Sequence, residues 1–158
     1  MRRFSSWLGL SGLVIVMDQL TKFWVLAVLK SGERIELTSF FNLVLVFNPG
    51  AAFSFLSDAG GWQRGFFIVL ALAVSVWLVL LIRQHAAERL LPAAAALILG
   101  GALGNVIDRI RFGAVVDFLD AHAAGWHWPA FNVADSAISL GVALFIWQGL
   151  FCTAKEKA

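Results

Sequence analysis

Asp117 and Asp135 are two carboxylates separated by a short stretch of chain, and both keep unusual company for acids. Asp117 lies in Val115-Val116-Asp117-Phe118-Leu119, an apolar setting at odds with a solvated loop. Asp135 lies in Phe131-Asn132-Val133-Ala134-Asp135-Ser136, at the start of an apolar segment. Two carboxyl groups held close share one proton, because the second charge is opposed by the first. The charged member can draw a proton from water while the protonated member donates to a carbonyl oxygen. Such a pair suits hydrolysis of an amide without a covalent intermediate. Asp135 also has a structural reading, with Asn132 as a helix N-cap and Asp135 closing a capping-box-like arrangement. Both readings stand on the residues alone.

Other polar groups fall where polarity is expensive. Charges within or at the edge of a bilayer span cost several kcal/mol unless paired or hydrated. Asp18 and Lys22 are one helical turn apart and can meet on one face. An ion pair that helps pack the helix and a direct role in substrate binding both fit. Asn105, Asp108 and Arg109 end a third apolar segment; adjacent Asp108 and Arg109 cannot share a helix face and should serve different partners. Gly100 and Gly104 have the small-residue spacing that lets helices approach closely. Other catalytic sets are poorly supplied. His85 belongs to the opposite side of the membrane from the acids. His122 and His127 with Asp120 match no familiar metal-ligand spacing. The one cysteine, Cys152, has no neighbouring base and cannot form an internal disulfide.

These residues need elements to hold them, and composition says which kind. Of 158 residues, 60% are hydrophobic and 14% charged, with a mean hydropathy of +0.83. A soluble domain carries about 25% charged residues. The surplus apolar surface must face something other than water, and lipid is the simplest candidate. The net charge of +2, without a long basic run, gives no reason to expect a nucleic-acid partner. Four stretches approach the roughly 20 apolar residues that cross a bilayer: about Trp7–Leu29, Phe66–Ile82, Leu90–Ile107 and Ala134–Phe151. The middle two lack the polar stripe of a helix in a soluble bundle. The expectation is an all-α membrane protein of four transmembrane helices forming a single domain over 1–158.

Arg2 and Arg3 ahead of Leu8–Met17 imitate an export signal, but apolar sequence continues past Lys22 with no small-residue cleavage site in a polar context. A retained first helix is expected. Arginines ahead of that helix place both termini in the cytoplasm and the two longer loops outside. Trp7, Trp62, Trp126 and Trp128 fall near segment ends, as interfacial anchors do. In the first outer loop, about Lys30–Gly61, Ile35-Glu36-Leu37-Thr38 alternates and Phe40–Phe47 is β-prone. A small extracytoplasmic β-element is expected there. Asn48-Pro49-Gly50 then reads as a turn, followed by the apolar run Ala51–Leu56.

The blocks Asp18-Gln19-Leu20-Thr21-Lys22, Phe47-Asn48-Pro49-Gly50-Ala51-Ala52-Phe53-Ser54 and Gly100-Gly101-Ala102-Leu103-Gly104-Asn105 with Asp108-Arg109 resemble those of bacterial lipoprotein signal peptidase, signal peptidase II. So do Gly113-Ala114-Val115-Val116-Asp117-Phe118 and Phe131-Asn132-Val133-Ala134-Asp135-Ser136. The similarity runs in order from Asp18 to Ser136. Phe47 departs from it, since members often carry Tyr before the Asn. The resemblance implies a monomeric four-helix aspartyl endopeptidase of the bacterial inner membrane, with its active site near the periplasmic face and no metal or organic cofactor. Its substrates would be prolipoproteins carrying diacylglycerol on a cysteine, cut just before that cysteine, and globomycin-type peptides would inhibit it. By the same resemblance the catalytic pair falls on Asp117 and Asp135. Asp18, Lys22, Asn48, Gly50, Gly104, Asn105, Asp108, Arg109, Asn132 and Ala134 would hold substrate or support the pair.

Two other classes compete on the residues alone. A small proton-coupled transporter would use Asp18, Lys22, Asp108 and Asp135 as a polar path, but the second segment offers it no ionisable group. An assembly subunit packed through the glycine-containing third helix leaves Asp117 without a purpose.

Overall fold

The computed structural model describes residues 2–50 and 61–152; the apolar run Ala51–Leu56 lies outside them. Element order is α1 (Arg2–Val28), β1 (Arg34–Thr38), β2 (Phe41–Asn48), α2 (Trp62–Gln84), α3 (Leu90–Phe112), β3 (Val115–Ala123), β4 (Trp126–His127) and α4 (Val133–Trp147), with a π-helical turn at Gln148–Cys152. Among the described residues four helices are long and apolar enough to cross a membrane: Arg3–Val28, Trp62–Gln84, Leu90–Phe112 and Val133–Phe151. The expected spans are therefore present. Each differs from expectation at its polar ends, where hydropathy fades but backbone hydrogen bonding continues. The largest difference is in α3, which runs on to Phe112 and so encloses Asp108 and Arg109 instead of ending at them.

Helix α3 is the central post, packed on α1, α2 and α4. Its glycines explain how. A Cβ on Gly100 would sit 2.7 Å from both the Ser11 carbonyl oxygen and Val14 Cβ of α1. A Cβ on Gly104 would sit 2.7 Å from Asp18 Oδ2, and one on Gly101 would collide with the Ala134 carbonyl oxygen of α4. Two faces of one helix are thus stripped of side chains so that α1 and α4 can close on it. Leu78 and Ile82 of α2 pack against Ala95, Ala96 and Leu99 of α3 in a dry cluster. The outward faces carry Phe23, Trp24, Val69, Val76, Leu140 and Ile146, all exposed, which suits contact with hydrocarbon. At one end Arg3 Nη1 and Trp7 Nε1 donate to the Ala87 and Ala86 carbonyls of the α2–α3 link, at 2.7 and 3.2 Å.

The β-element at the other end is larger than the first loop alone predicts. Four antiparallel strands stand in the order β1-β2-β3-β4, and half of them come from the second loop. The expected β-element within Lys30–Gly61 is corrected accordingly: β1 and β2 belong to that loop, while β3 and β4 lie between α3 and α4. The reason is burial. Val115, Val116, Asp117 and Phe118 are all buried, so the strand has no solvent face and its sequence shows no polar–apolar alternation. Val116 and Phe118 point into a core with Val25 of α1, Leu29 just beyond that helix, and Leu43 and Leu45 of β2. Gly113 caps α3 in the left-handed region, φ 78°, and turns the chain directly into β3.

Candidate active site

Lys22, Asp18 and Asp108 form a closed ionic cluster between α1 and α3. Lys22 Nζ lies 2.8 Å from Asp18 Oδ2 and 2.7 Å from Asp108 Oδ2, with side-chain exposures of 2%, 0% and 1%. The expected Asp18–Lys22 pair is there, joined by an acid the helical spacing could not reveal. The remaining acceptors are used. Asp18 Oδ1 accepts the Ala134 N–H at 2.9 Å, and Asp108 Oδ2 accepts the Val116 N–H at 3.1 Å. Lys22 therefore neutralises two acids that also hold the start of α4 and the backbone of β3.

Gln19 completes the cluster, its Nε2 donating to Asp108 Oδ1 at 3.0 Å, Asp18 Oδ2 at 3.2 Å and the Gly104 carbonyl at 3.3 Å. Sequence reasoning did not single Gln19 out. Its amide within an apolar helix, beside Asp18, was the available signal.

From Lys22 a chain of amides leads to the other two acids. Asn105 Oδ1 accepts from Lys22 Nζ at 3.0 Å, while its Nδ2 donates to Asp135 Oδ1 at 2.8 Å. Asn132 is fully buried and touches both Asp117 and Asp135. Its Nδ2 donates to Asp117 Oδ1 at 2.7 Å. Its Oδ1 accepts the Asp135 N–H at 2.9 Å, and its own N–H donates to Asp135 Oδ2 at 3.2 Å. The capping box anticipated for α4 is thus present, and it orients the carboxylate it contains. Asn48 Nδ2 reaches Asp117 Oδ2 from β2 at 3.1 Å. Every oxygen of the two acids has an amide donor, and among the described residues neither acid has a salt-bridge partner.

Asp117 and Asp135 both line a cavity of about 900 Å³. Its polar end holds Asn48, Asn105 and Arg109 with the two acids; its apolar end descends between Leu70 and Val74 of α2, Ile98 and Ala102 of α3, and Ile138 of α4. Asp117 is 2% exposed, and burial pushes its pKa up to about 7, with the charge of Asp135 adding to the rise. Near neutral pH this carboxyl therefore exists in both protonated and charged forms, beside a second acid. In the singly protonated state one group can donate to a carbonyl oxygen while the other takes a proton from water.

Arg109, as expected, serves different partners from Asp108. Its Nη2 donates to the Gly50 carbonyl at 2.8 Å, its Nη1 to the Asn105 carbonyl at 3.4 Å, and its guanidinium lies 5.1 Å from the Phe67 ring centroid. Asn48 Oδ1 accepts the Gly50 N–H at 3.0 Å, closing the turn that brings both residues to the cavity rim. All twelve residues singled out in the sequence belong to this one network or to the helix contacts that enclose it. His122 and His127 do not; they stack on each other 5.0 Å apart, with His127 Nδ1 2.9 Å from Asp120 at the far end of the sheet.

Comparison with known proteins agrees with this architecture. Lipoprotein signal peptidase of Janthinobacterium sp. (strain Marseille) is 53% identical over 144 residues, covering 91% of this chain and 87% of the relative. That of Azoarcus sp. (strain BH72) is 60% identical over 144 residues, covering 91% and 82%. Two solved structures of bacterial membrane enzymes superpose with TM-scores of 0.86 and 0.81, each at 33% identity. The first covers 96% of this chain and 91% of its own; the second covers 93% and 94%. The family described as signal peptidase (SPase) II matches residues 10–151, and with it the chain is established as a multi-pass bacterial membrane peptidase of the signal peptidase II family, whose members remove signal peptides from lipoprotein precursors.

Proposed function

We propose that this peptidase is of the aspartic type and that Asp117 and Asp135 are its catalytic residues. One observation carries the proposal: two carboxylates line one cavity, tied to the same asparagine and, among the described residues, in no salt bridge. The proton shared by the pair passes to the oxygen of the scissile carbonyl while the charged member deprotonates the attacking water. The tetrahedral intermediate then collapses, and the leaving amine takes up a proton from the pair. Asn105, Asn132 and Asn48 hold the carboxylates; Asp18, Lys22, Asp108, Gly104 and Ala134 hold the helices that carry them; Arg109 and Gly50 shape the rim.

The substrate is a prolipoprotein with diacylglycerol on its cysteine, cut immediately before that cysteine. A lipid-anchored chain diffuses in the plane of the bilayer, so its scissile bond arrives at a fixed depth, and a cavity with a polar mouth and an apolar floor suits such a molecule. Both termini face the cytoplasm and the sheet faces the periplasm across the inner membrane, in keeping with Arg2 and Arg3 at the N-terminal end of α1. The enzyme acts as a monomer, all the groups proposed here belonging to one chain.

The test is processing of a lipid-modified precursor, followed by gel mobility, with Asp117→Asn and Asp135→Asn variants. Both are expected to insert and to lose cleavage by at least about 10³-fold, within the range set by general acid–base catalysis. Cleavage by either variant at a tenth of the wild-type rate or more would remove that residue from the chemistry.

A further inference from the structure

Hydroxyl groups in the helices of this protein usually bond back to the carbonyl one turn earlier. Thr21 does so to Met17 at 2.9 Å, Ser75 to Ala71 at 2.7 Å and Ser136 to Asn132 at 2.9 Å. This is the ordinary way for a hydroxyl to avoid being left bare in an apolar medium. Ser139 is different. It is exposed, it lines the cavity, and among the described residues its side chain makes no hydrogen bond. It stands one helical turn beyond Asp135 on α4, about 6 Å deeper along the helix axis. Val74, Ile98, Ala102 and Ile138 line the same cavity and offer no side-chain donor, and the hydroxyl of Ser136, also in the lining, is already bonded to the Asn132 carbonyl.

We infer that Ser139 is a specificity-determining residue whose hydroxyl donates to an ester carbonyl of the substrate's diacylglyceryl group. This rests on the reading of Asp117 and Asp135 as the catalytic pair, because the pair fixes where the lipidated cysteine sits. The lipid hangs from that cysteine, and its ester carbonyls lie a few bonds beyond the sulfur, within reach of a point about 6 Å below the scissile bond. A carbonyl of the signal peptide is the other acceptor of the same chemistry, but the surroundings favour the ester. A peptide segment would press several N–H and C=O groups against a wall that is mostly apolar, which is costly. A diacylglyceryl group brings two acceptors, no donors, and acyl chains that match the apolar wall. A lipidated substrate then gives the hydroxyl an acceptor that an unmodified precursor lacks, so the residue discriminates between the two.

The experiment compares wild type with Ser139→Ala and Ser139→Thr on two synthetic prolipoprotein peptides. One carries the diacylglyceryl diester; the other carries the dialkylglyceryl diether, which keeps the chains and lacks the carbonyls. Loss of one neutral hydrogen bond should raise KM of Ser139→Ala for the diester about three- to tenfold, with kcat changed far less. Wild type should show a similar rise on going to the diether, Ser139→Ala should add nothing further there, and Ser139→Thr should recover most of the diester affinity. An equal penalty from Ser139→Ala on diester and diether would assign the acceptor to the peptide and overturn the inference; no penalty on either would overturn it as well. Failure of the catalytic assignment reads out separately, as cleavage that survives Asp117→Asn.

Discussion

Four aspartates, three of them buried and Asp135 half-buried, meet in one network, and they fall into two kinds. Asp18 and Asp108 flank Lys22 at 2.8 and 2.7 Å and have almost no exposure. Among the described residues Asp117 and Asp135 receive only amide donors, and both open onto a cavity. The first pair is electrically finished, since a cation and backbone N–H groups consume its acceptors. The second pair is held in place without a direct ion pair among the described residues. Paired charge in a membrane protein serves architecture, whereas charge that is positioned but unpaired is available for chemistry. Asn105 touches both kinds, through Lys22 on one side and Asp135 on the other, so the finished cluster acts as the fixed support for the reactive one.

The comparison can be broken most forcefully at the reactive pair. Asp117→Asn should abolish precursor cleavage yet leave the protein folded, because Asn keeps the shape and one acceptor oxygen. It should also change the response of stability to pH. A carboxyl whose folded pKa is raised contributes stability that is fully present below its unfolded value, here 3.8, and is lost as pH rises through its folded value of about 7. Thermal unfolding in detergent should therefore show wild type losing stability between about pH 4 and 7, and Asp117→Asn lacking that decline.

At the finished cluster the expected effect is on folding. Lys22→Met leaves Asp18 and Asp108 buried without their cation and should destabilise by about 3–5 kcal/mol, visible as a drop in Tm or a loss of folded protein in the membrane. Combining it with Asp18→Asn and Asp108→Asn should return part of that stability. No such rescue is expected if Lys22 serves mainly to hold substrate.

Smaller effects sharpen the boundary between the two regions. Gly104→Ala puts a methyl 2.7 Å from Asp18 Oδ2, and overpacking there should cost about 1–3 kcal/mol while disturbing the ion cluster. Asn132→Ala removes the cap of α4 and the donor to Asp117 together. About 1 kcal/mol of stability should go with the cap, and cleavage should fall by more than that loss explains. Measuring unfolding and kcat on the same preparation separates the two contributions.

Much of this was legible in the chain because lipid imposes simple requirements. Four apolar runs gave four helices, and Asp18 and Lys22 announced a pair by their spacing. Asn132 and Asp135 announced a cap in the same way. What spacing could not give was everything that depends on contact between distant segments. Lys22 meets Asp108 across α1 and α3, and Asn48 meets Asp117 across two strands. β3 was missed because a strand buried on both faces loses the alternation by which strands are recognised. The same burial explains the oddity that made Asp117 stand out: its apolar neighbours are a core, and the acid is the exception set into it. The unbonded hydroxyl of Ser139 had no sequence signal at all, since serine in an apolar helix normally satisfies itself.

The most direct measurement is an infrared titration of the protonated carboxyl stretch in the membrane-embedded enzyme, taken as the difference between wild type and Asp117→Asn. A protonated carboxyl at Asp117 should persist to neutral pH and disappear with a midpoint near 7. Removing the neighbouring charge with Asp135→Asn should shift that midpoint downward. A carboxyl that is already ionised at pH 5, indifferent to Asp135, would contradict the claim that these two acids hold one proton between them.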